Sequence, residues 1–376
     1  MSNQVVIIGG GVAGLGCASA LNAAGIPFTL ITKDVGGRIT ENSNHTVNYG
    51  AYYITADYNH ILPLVKRLHR ISLLNFQFHH PGQAYSMLGL RAMHYLPQLL
   101  RFRQLLRTFR QHLRQLRQDA LDEEQSVLIK RDPYLWPLVN QAATDFVREH
   151  HLVGLFHDYI EEALYATDFI SLAEAQAFDM LWLAQPLIAR SYEYSFDPTT
   201  ITQPFQSSIV LATVATITPQ ADGYTVATTD QQSYASRYVV VAVPTMTMRQ
   251  LLHTNDGKEP VSAYMYHLQG QLKPAYAKRR YHVFDDHSRL VTIATQPDGT
   301  YLIYTRTPWT DFSTLFSNYT MITQKVWDPA FNVIGSALTK QNRGHGLYVA
   351  GEHNICTLED SYISGVYAAR QIASQF

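Results

Sequence analysis

Cysteine is nearly absent from this chain: Cys17 and Cys356 are the whole complement in 376 residues. Their spacing fits neither a disulfide framework nor a zinc site, so a reducing cytoplasm is the expected compartment. No apolar run reaches the roughly 20 residues that a membrane-spanning helix requires. The first strand pattern starts within five residues of Met1, which predicts no signal or transit peptide. The net charge of -1 supplies no global attraction for nucleic acid. Neither a G-x-S-x-G elbow nor a zinc signature occurs, and the pairs His79-His80 and His150-His151 lack partners at ligating spacing, so no metal is expected. One absence is local. Between Asp57 and Asp119 there is no acidic residue, while Lys66, Arg67, Arg70, Arg91, Arg101, Arg103, Arg107, Arg110, Arg114 and Arg117 fall inside that interval.

What is present suits a large buried core in one or two domains, with 46% hydrophobic and 16% charged residues. The apolar run Val5-Val6-Ile7-Ile8 leads into Gly9-Gly10-Gly11-Val12-Ala13-Gly14. That is a buried strand turning through G-x-G-x-x-G into a helix, with Gly25 as a C-cap and Phe28–Ile31 as the next strand of a βαβ unit. Each glycine has a task in this pattern. Gly9 allows the tight turn, Gly11 lets backbone approach a pyrophosphate, and Gly14 lets the helix pack closely on the sheet. Val12 and Ala13 place free N–H groups at the helix N-terminus, where an anion is favoured. The acid expected at the end of the second strand is missing. The ribose-binding position falls on Thr32, whose hydroxyl is a weaker acceptor than a carboxylate, and Asp34 reads as part of the following turn.

Residues 58–195 read mainly as helical. The clearest stretch is 98–121, where Leu99, Phe102, Leu106, Phe109, Leu113, Leu116 and Ala120 recur on one face and the arginines follow one position later. Strand patterns return at 208–217, 224–228 and 238–243, the last closed by Pro244. Residues 290–295 and 301–305 flank Gln296-Pro297-Asp298-Gly299, a hairpin turn.

Four segments in order now carry a resemblance: Gly36-Gly37-Arg38, Val47-Asn48-Tyr49-Gly50-Ala51, Val239–Pro244 and Ala350-Gly351-Glu352. Together with the glycine loop they resemble the flavin-containing amine oxidase superfamily, which includes monoamine oxidases, phytoene-type desaturases, protoporphyrinogen oxidase and renalase. The likeness covers the segments expected to bind cofactor; the helical middle matches no pattern we can name. It implies an α/β fold, a Rossmann-type domain holding FAD with an inserted mixed α+β substrate domain. The FAD domain is expected to combine 1–56, 205–256 and 335–376. The substrate domain would combine a helical piece, 57–204, with a short β piece, 257–334. By the same resemblance Gly37 and Arg38 lie beside the flavin phosphates, with Gly50 and Ala51 following. Val214 offers its backbone to adenine, and Gly351 and Glu352 meet the ribityl chain. Leu358 and Ser361 begin a last helix whose N-terminal dipole supports reduced flavin.

Catalytic residues are not assigned. Lys273 and Lys278 lie in a polar loop-like stretch, and Thr357 stands where relatives place an aromatic wall. Tyr52, Tyr53 and Trp327 are candidates for lining a substrate chamber, although ordinary packing explains them too. The resemblance implies hydride transfer from a C–H bond of a small lipophilic or amine-containing substrate to flavin N5. Two other readings stay open: an FAD-dependent double-bond isomerase without net oxidation, and a flavoprotein acting mainly through membrane or partner binding. The basic stretch 98–121 likewise reads as a solvated face, as a partner surface, or as a peripheral contact with the inner membrane surface.

Overall fold

The computed structural model describes residues 4–42, 44–87 and 90–376. Its opening strand, β1 (Val5–Gly10), is flanked on both sides by parallel neighbours, which explains why its first four residues are all apolar and buried. On one side lies β2 (Phe28–Val35), with Val5 opposite Phe28; on the other lies Tyr238–Val241, with Val5 opposite Tyr238. Ile209–Leu211 continues the sheet beyond β2, and Leu347–Val349 continues it beyond Tyr238–Val241. Asn342–Gly344 closes that edge as an antiparallel strand. Strands from the start, middle and end of the sequence therefore share one six-stranded sheet.

Helix α1 (Val12–Ala23) connects β1 to β2, and Gly25, at φ +68°, ends it in the left-handed region. The helix Leu358–Ala373 packs against α1 at backbone distance. A Cβ added at Gly365 would sit 1.9 Å from the Ala13 carbonyl oxygen, and one at Gly16 would sit 2.7 Å from that of Tyr362. Small residues on both helices are thus a steric requirement of this contact.

A second sheet has seven strands in the order Phe316–Ile334, Glu259–Leu272, Tyr301–Thr305, Leu290–Thr295, Tyr281–Phe284, Phe76–His80 and Gln83–Ser86. Two expectations are corrected here. The β piece at 257–334 is not short, because Glu259–Leu272 and Phe316–Ile334 run antiparallel along most of their length. Four register shifts between them hide the alternation that would reveal such strands. The 57–204 piece is also not simply helical. Phe76–His80 joins this sheet, while Ser191–Ser195 pairs with Ile54–Thr55 on one side and Lys66–Ile71 on the other in a small separate sheet. The stretch read as one strand at 208–217 breaks at Ala212-Thr213. Ile209–Leu211 stays in the parallel sheet, and Val214–Gln220 turns away to pair antiparallel with Gly223–Thr228. The hairpin across 296–299 forms, with Gly299 at φ +80°.

Leu96–Asp119 is one continuous helix whose Phe102, Leu106, Phe109, Leu113 and Leu116 are buried in the largest hydrophobic cluster. Each such side chain contributes about 1.5–3 kcal/mol on burial. Its arginines do not form a uniform basic edge. A seven-residue step falls about 20° short of two full turns, so Arg103, Arg110 and Arg117 drift progressively toward the core. Arg103 is exposed, Arg110 is half-buried and bonded to Asp57, and Arg117 is buried against Asp360. The Arg117 Nη2 lies 2.7 Å from the Asp360 Oδ2 at the start of the closing helix. Among the described residues, no helix is long and apolar enough to cross a membrane.

Candidate cofactor and substrate cavity

At the carboxyl ends of the parallel strands the backbone opens into a cavity of about 640 Å³, within the range of small-molecule sites. The glycine loop forms one wall. Gly9, at φ +105°, has no room for a side chain because a Cβ would lie 2.3 Å from the Ala242 carbonyl oxygen. Gly14 does not line the cavity; a Cβ there would lie 1.8 Å from the Gly9 carbonyl oxygen, so it sets how closely α1 approaches the turn. Gly11 and Gly37 approach backbone to backbone: a Cβ added at Gly37, at φ +63°, would lie 2.9 Å from the Gly11 Cα. No side chain caps α1, and its first turn holds no acidic residue. Its leading amides, at Val12 and Ala13 on the cavity wall, have no acceptor within the helix.

The segments far apart in sequence meet here. Gly37, Arg38, Gly50, Ala51, Val214, Gly351, Glu352, Leu358 and Ser361 all line the same cavity as Gly9, Gly11, Val12 and Ala13. Gly50 fits only as glycine, since a Cβ would sit 1.7 Å from the Arg38 carbonyl oxygen. Arg38 Nη1 donates to Glu352 Oε1 at 2.5 Å and to the Ala330 carbonyl at 2.8 Å, and Asn332 Nδ2 donates to the same carboxylate at 3.1 Å. Burial alone would raise the Glu352 carboxyl. The Arg38 charge and hydrogen bond, with Asn332, outweigh burial and hold it below the usual glutamate value.

Two expectations need adjustment. Thr32 lies on the wall, but its hydroxyl is already engaged: Oγ1 accepts from Gly10 N at 2.9 Å and donates to the Asp34 carbonyl at 2.6 Å. It braces the glycine loop and has only one lone pair left for a ribose. The closing helix is not a bare dipole either. Thr357 Oγ1 accepts from Asp360 N at 3.0 Å, and Glu359 and Asp360 occupy the first turn. Glu359 in turn accepts from the backbone of His60 and Ile61.

Beyond the glycine wall the cavity continues into a chamber walled by Ile160, Leu164, Phe169, Leu183, Val283 and Phe331, among others, nearly all apolar. Tyr52, Tyr53 and Trp327 all face it. The Tyr52 hydroxyl is turned to Glu193, which also accepts from Tyr281 and from Arg280, so that hydroxyl serves an internal network. Trp327 Nε1 is buried without a hydrogen-bond partner.

One lining residue has no counterpart among the sequence candidates. Asp168, 2% exposed, ends the helix Glu161–Asp168 with its Oδ2 unpartnered. Burial, then the carboxylates of Asp179 and Glu352, push its carboxyl well above the usual aspartate value, opposed by Lys258. Phe169, directly after it, takes φ +62°, a left-handed conformation that costs a non-glycine residue about 1–2 kcal/mol. An acid at a helix C-terminus opposes the macrodipole, and that anomaly is the signal a sequence reading could have used. Behind Asp168, the buried Lys258 donates to both oxygens of Asp179 at 2.6 and 2.7 Å. Lys273 and Lys278 do not line the cavity.

This architecture defines a class. The chain has the flavin amine oxidase fold along its whole length. It superimposes on putrescine oxidase bound to putrescine with a TM-score of 0.71 at 12% identity, covering 100% of this chain and 99% of that one. Against cyclohexylamine oxidase from Brevibacterium oxydans the TM-score is 0.66 at 13% identity, covering 100% and 98%. Residues 7–68 match the NAD(P)-binding Rossmann-like domain family. An alignment 96 positions long, covering 23% of this chain and 18% of that protein, shows 34% identity to amine oxidase [flavin-containing] B of Cavia porcellus.

Proposed function

We propose that the protein is an FAD-dependent oxidoreductase acting on a compact, mainly apolar substrate that carries one polar or cationic group. The observation that carries this reading is the convergence of five separated segments on a single cavity that continues into an apolar chamber. The cradle suits a dinucleotide: Gly11 and Gly37, in close backbone contact, put no side chain over the wall, and the uncapped start of α1 presents N–H groups to a diphosphate. Val214 would flank the adenine, Arg38 the phosphates, and Glu352 the ribityl hydroxyls. FAD bound there supplies a two-electron acceptor.

The protein's own contribution is positioning and exclusion of water. The apolar wall strips the substrate of water, and Asp168 gives it one polar point to align on. With the chamber empty, burial and the neighbouring carboxylates favour the protonated form of Asp168. A cationic group arriving at Oδ2 would favour the carboxylate. An amine with a hydrophobic body fits this environment best, and the two amine oxidases above share the fold around it.

The test is direct. Purified protein should be yellow, releasing FAD on denaturation. Under anaerobic conditions hydrophobic primary and secondary amines should bleach the flavin, whereas isosteric alcohols should not. Colourless protein that takes up no added FAD would sink the cofactor reading. Flavin that remains oxidised across an amine panel, yet is consumed with lipophilic alkenes, would overturn the substrate class.

A further inference from the structure

We propose that the outward face of the helix Leu96–Asp119 is a docking surface for an anionic lipid bilayer. The helix buries one face in the core, as described, so its opposite face must be accounted for separately. At 100° per residue, Leu96, Leu100, Arg103, Arg107 and Arg114 fall on one narrow outward stripe. All five are exposed. Leu96 is 52% and Leu100 57% exposed, and Met93, just before the helix, is 68% exposed. The adjoining turn adds Val153 at 55%, held in place as Leu155 N donates to Gln98 and Arg101 donates to the His150 carbonyl.

Solvated surfaces ordinarily mix charges and scatter single apolar residues. Here the apolar residues cluster at one end, and the charges on the stripe itself are all positive. The two arginines that drift toward the core, Arg110 and Arg117, find carboxylates in Asp57 and Asp360. Among the described residues Arg103, Arg107 and Arg114 have no hydrogen bond or ion pair, and the whole interval 58–118 offers no acid on its own chain segment. Three unpaired guanidiniums along about 16 Å of helix match phosphate headgroups, while Met93, Leu96 and Leu100 are long enough to enter the headgroup boundary. The helix lies on the surface; it does not insert. This inference is independent of the flavin reading, because it uses none of the cavity residues.

Co-sedimentation of the full chain with vesicles tests it, comparing pure phosphatidylcholine with a mixture containing roughly a third phosphatidylglycerol. The wild type should bind the anionic vesicles and ignore the neutral ones, with binding lost as salt rises to about 0.5 M. R103Q/R107Q/R114Q should lower the partition constant about a hundredfold, following the usual contribution per surface cation. L96S/L100S should lower it about tenfold. Unchanged thermal unfolding certifies that each variant is folded, as expected for exposed positions. The proposal is overturned by absence of wild-type binding to anionic vesicles, or by equal binding of the triple variant. It is equally overturned if wild-type protein self-associates in sedimentation velocity, the same substitutions abolish that, and vesicle binding is unaffected.

Discussion

Two carboxylates stand in one cavity under opposite conditions. Glu352, on the sheet side, is buried but receives hydrogen bonds from Arg38 and Asn332, and its proton affinity falls. Asp168, on the chamber side, is equally buried with one oxygen unpartnered, and its proton affinity rises. Burial is common to both, so the partner decides the sign. The sheet side behaves as a finished structural joint. The chamber side retains an unfilled hydrogen-bonding position, as a site built to receive something should.

The contrast can be broken from either side. The largest effect is expected beside this pair, at the start of the closing helix, from Arg117→Ala. It would leave Asp360 charged and buried without its partner, costing about 3–5 kcal/mol in chemical denaturation and loosening the closing helix. Next comes Asp168→Asn, which should lower kcat/KM for a hydrophobic amine about a hundredfold while leaving flavin content intact. Its stability signature has a definite sign. Since the folded protein binds that proton more tightly than the unfolded chain does, stability declines as pH rises from about 3.8 toward the folded value, and Asn removes that decline. A melting temperature that is lower in Asp168→Asn at neutral pH would count against the assignment.

Arg38→Ala should act in the other direction. Glu352 is depressed in the fold, so its stabilisation is complete above about 4.5 and disappears as pH falls through the folded value. Removing Arg38 should shift acid unfolding to higher pH and reduce retained flavin several-fold on dialysis. The same acid-unfolding midpoint in wild type and variant would refute the coupling. The smallest change is Thr32→Val, about 1 kcal/mol, from leaving Gly10 N–H without an acceptor. Flavin affinity should move little, because Thr32 braces the loop.

These regions also differ in how far the sequence reveals them. The glycine loop was readable because its chemistry is backbone chemistry: Gly9 and Gly14 each fit a space that admits no Cβ, and only one residue type satisfies that. Parallel strands such as Tyr238–Val241 were readable for a related reason, since burial on both faces demands an unbroken apolar run. Of the seven-stranded sheet the hairpin Leu290–Thr295 and Tyr301–Thr305 was readable, while the longest pair was hidden because it slips register four times and contains Pro260 and Pro329. Asp168 was hidden because its role depends on where a helix stops and what lies across the chamber. Arg117 looked like its neighbours until the helix's rotation carried it inward.

The joint between α1 and the helix Leu358–Ala373 has a consequence for biosynthesis. Gly9 and Glu352 border the same cavity although 343 positions separate them, so a ribosome must deliver both segments before the cradle exists. Cofactor capture therefore follows synthesis of both segments, and shortage of cofactor would be felt by molecules whose helix Leu358–Ala373 has nothing to close upon.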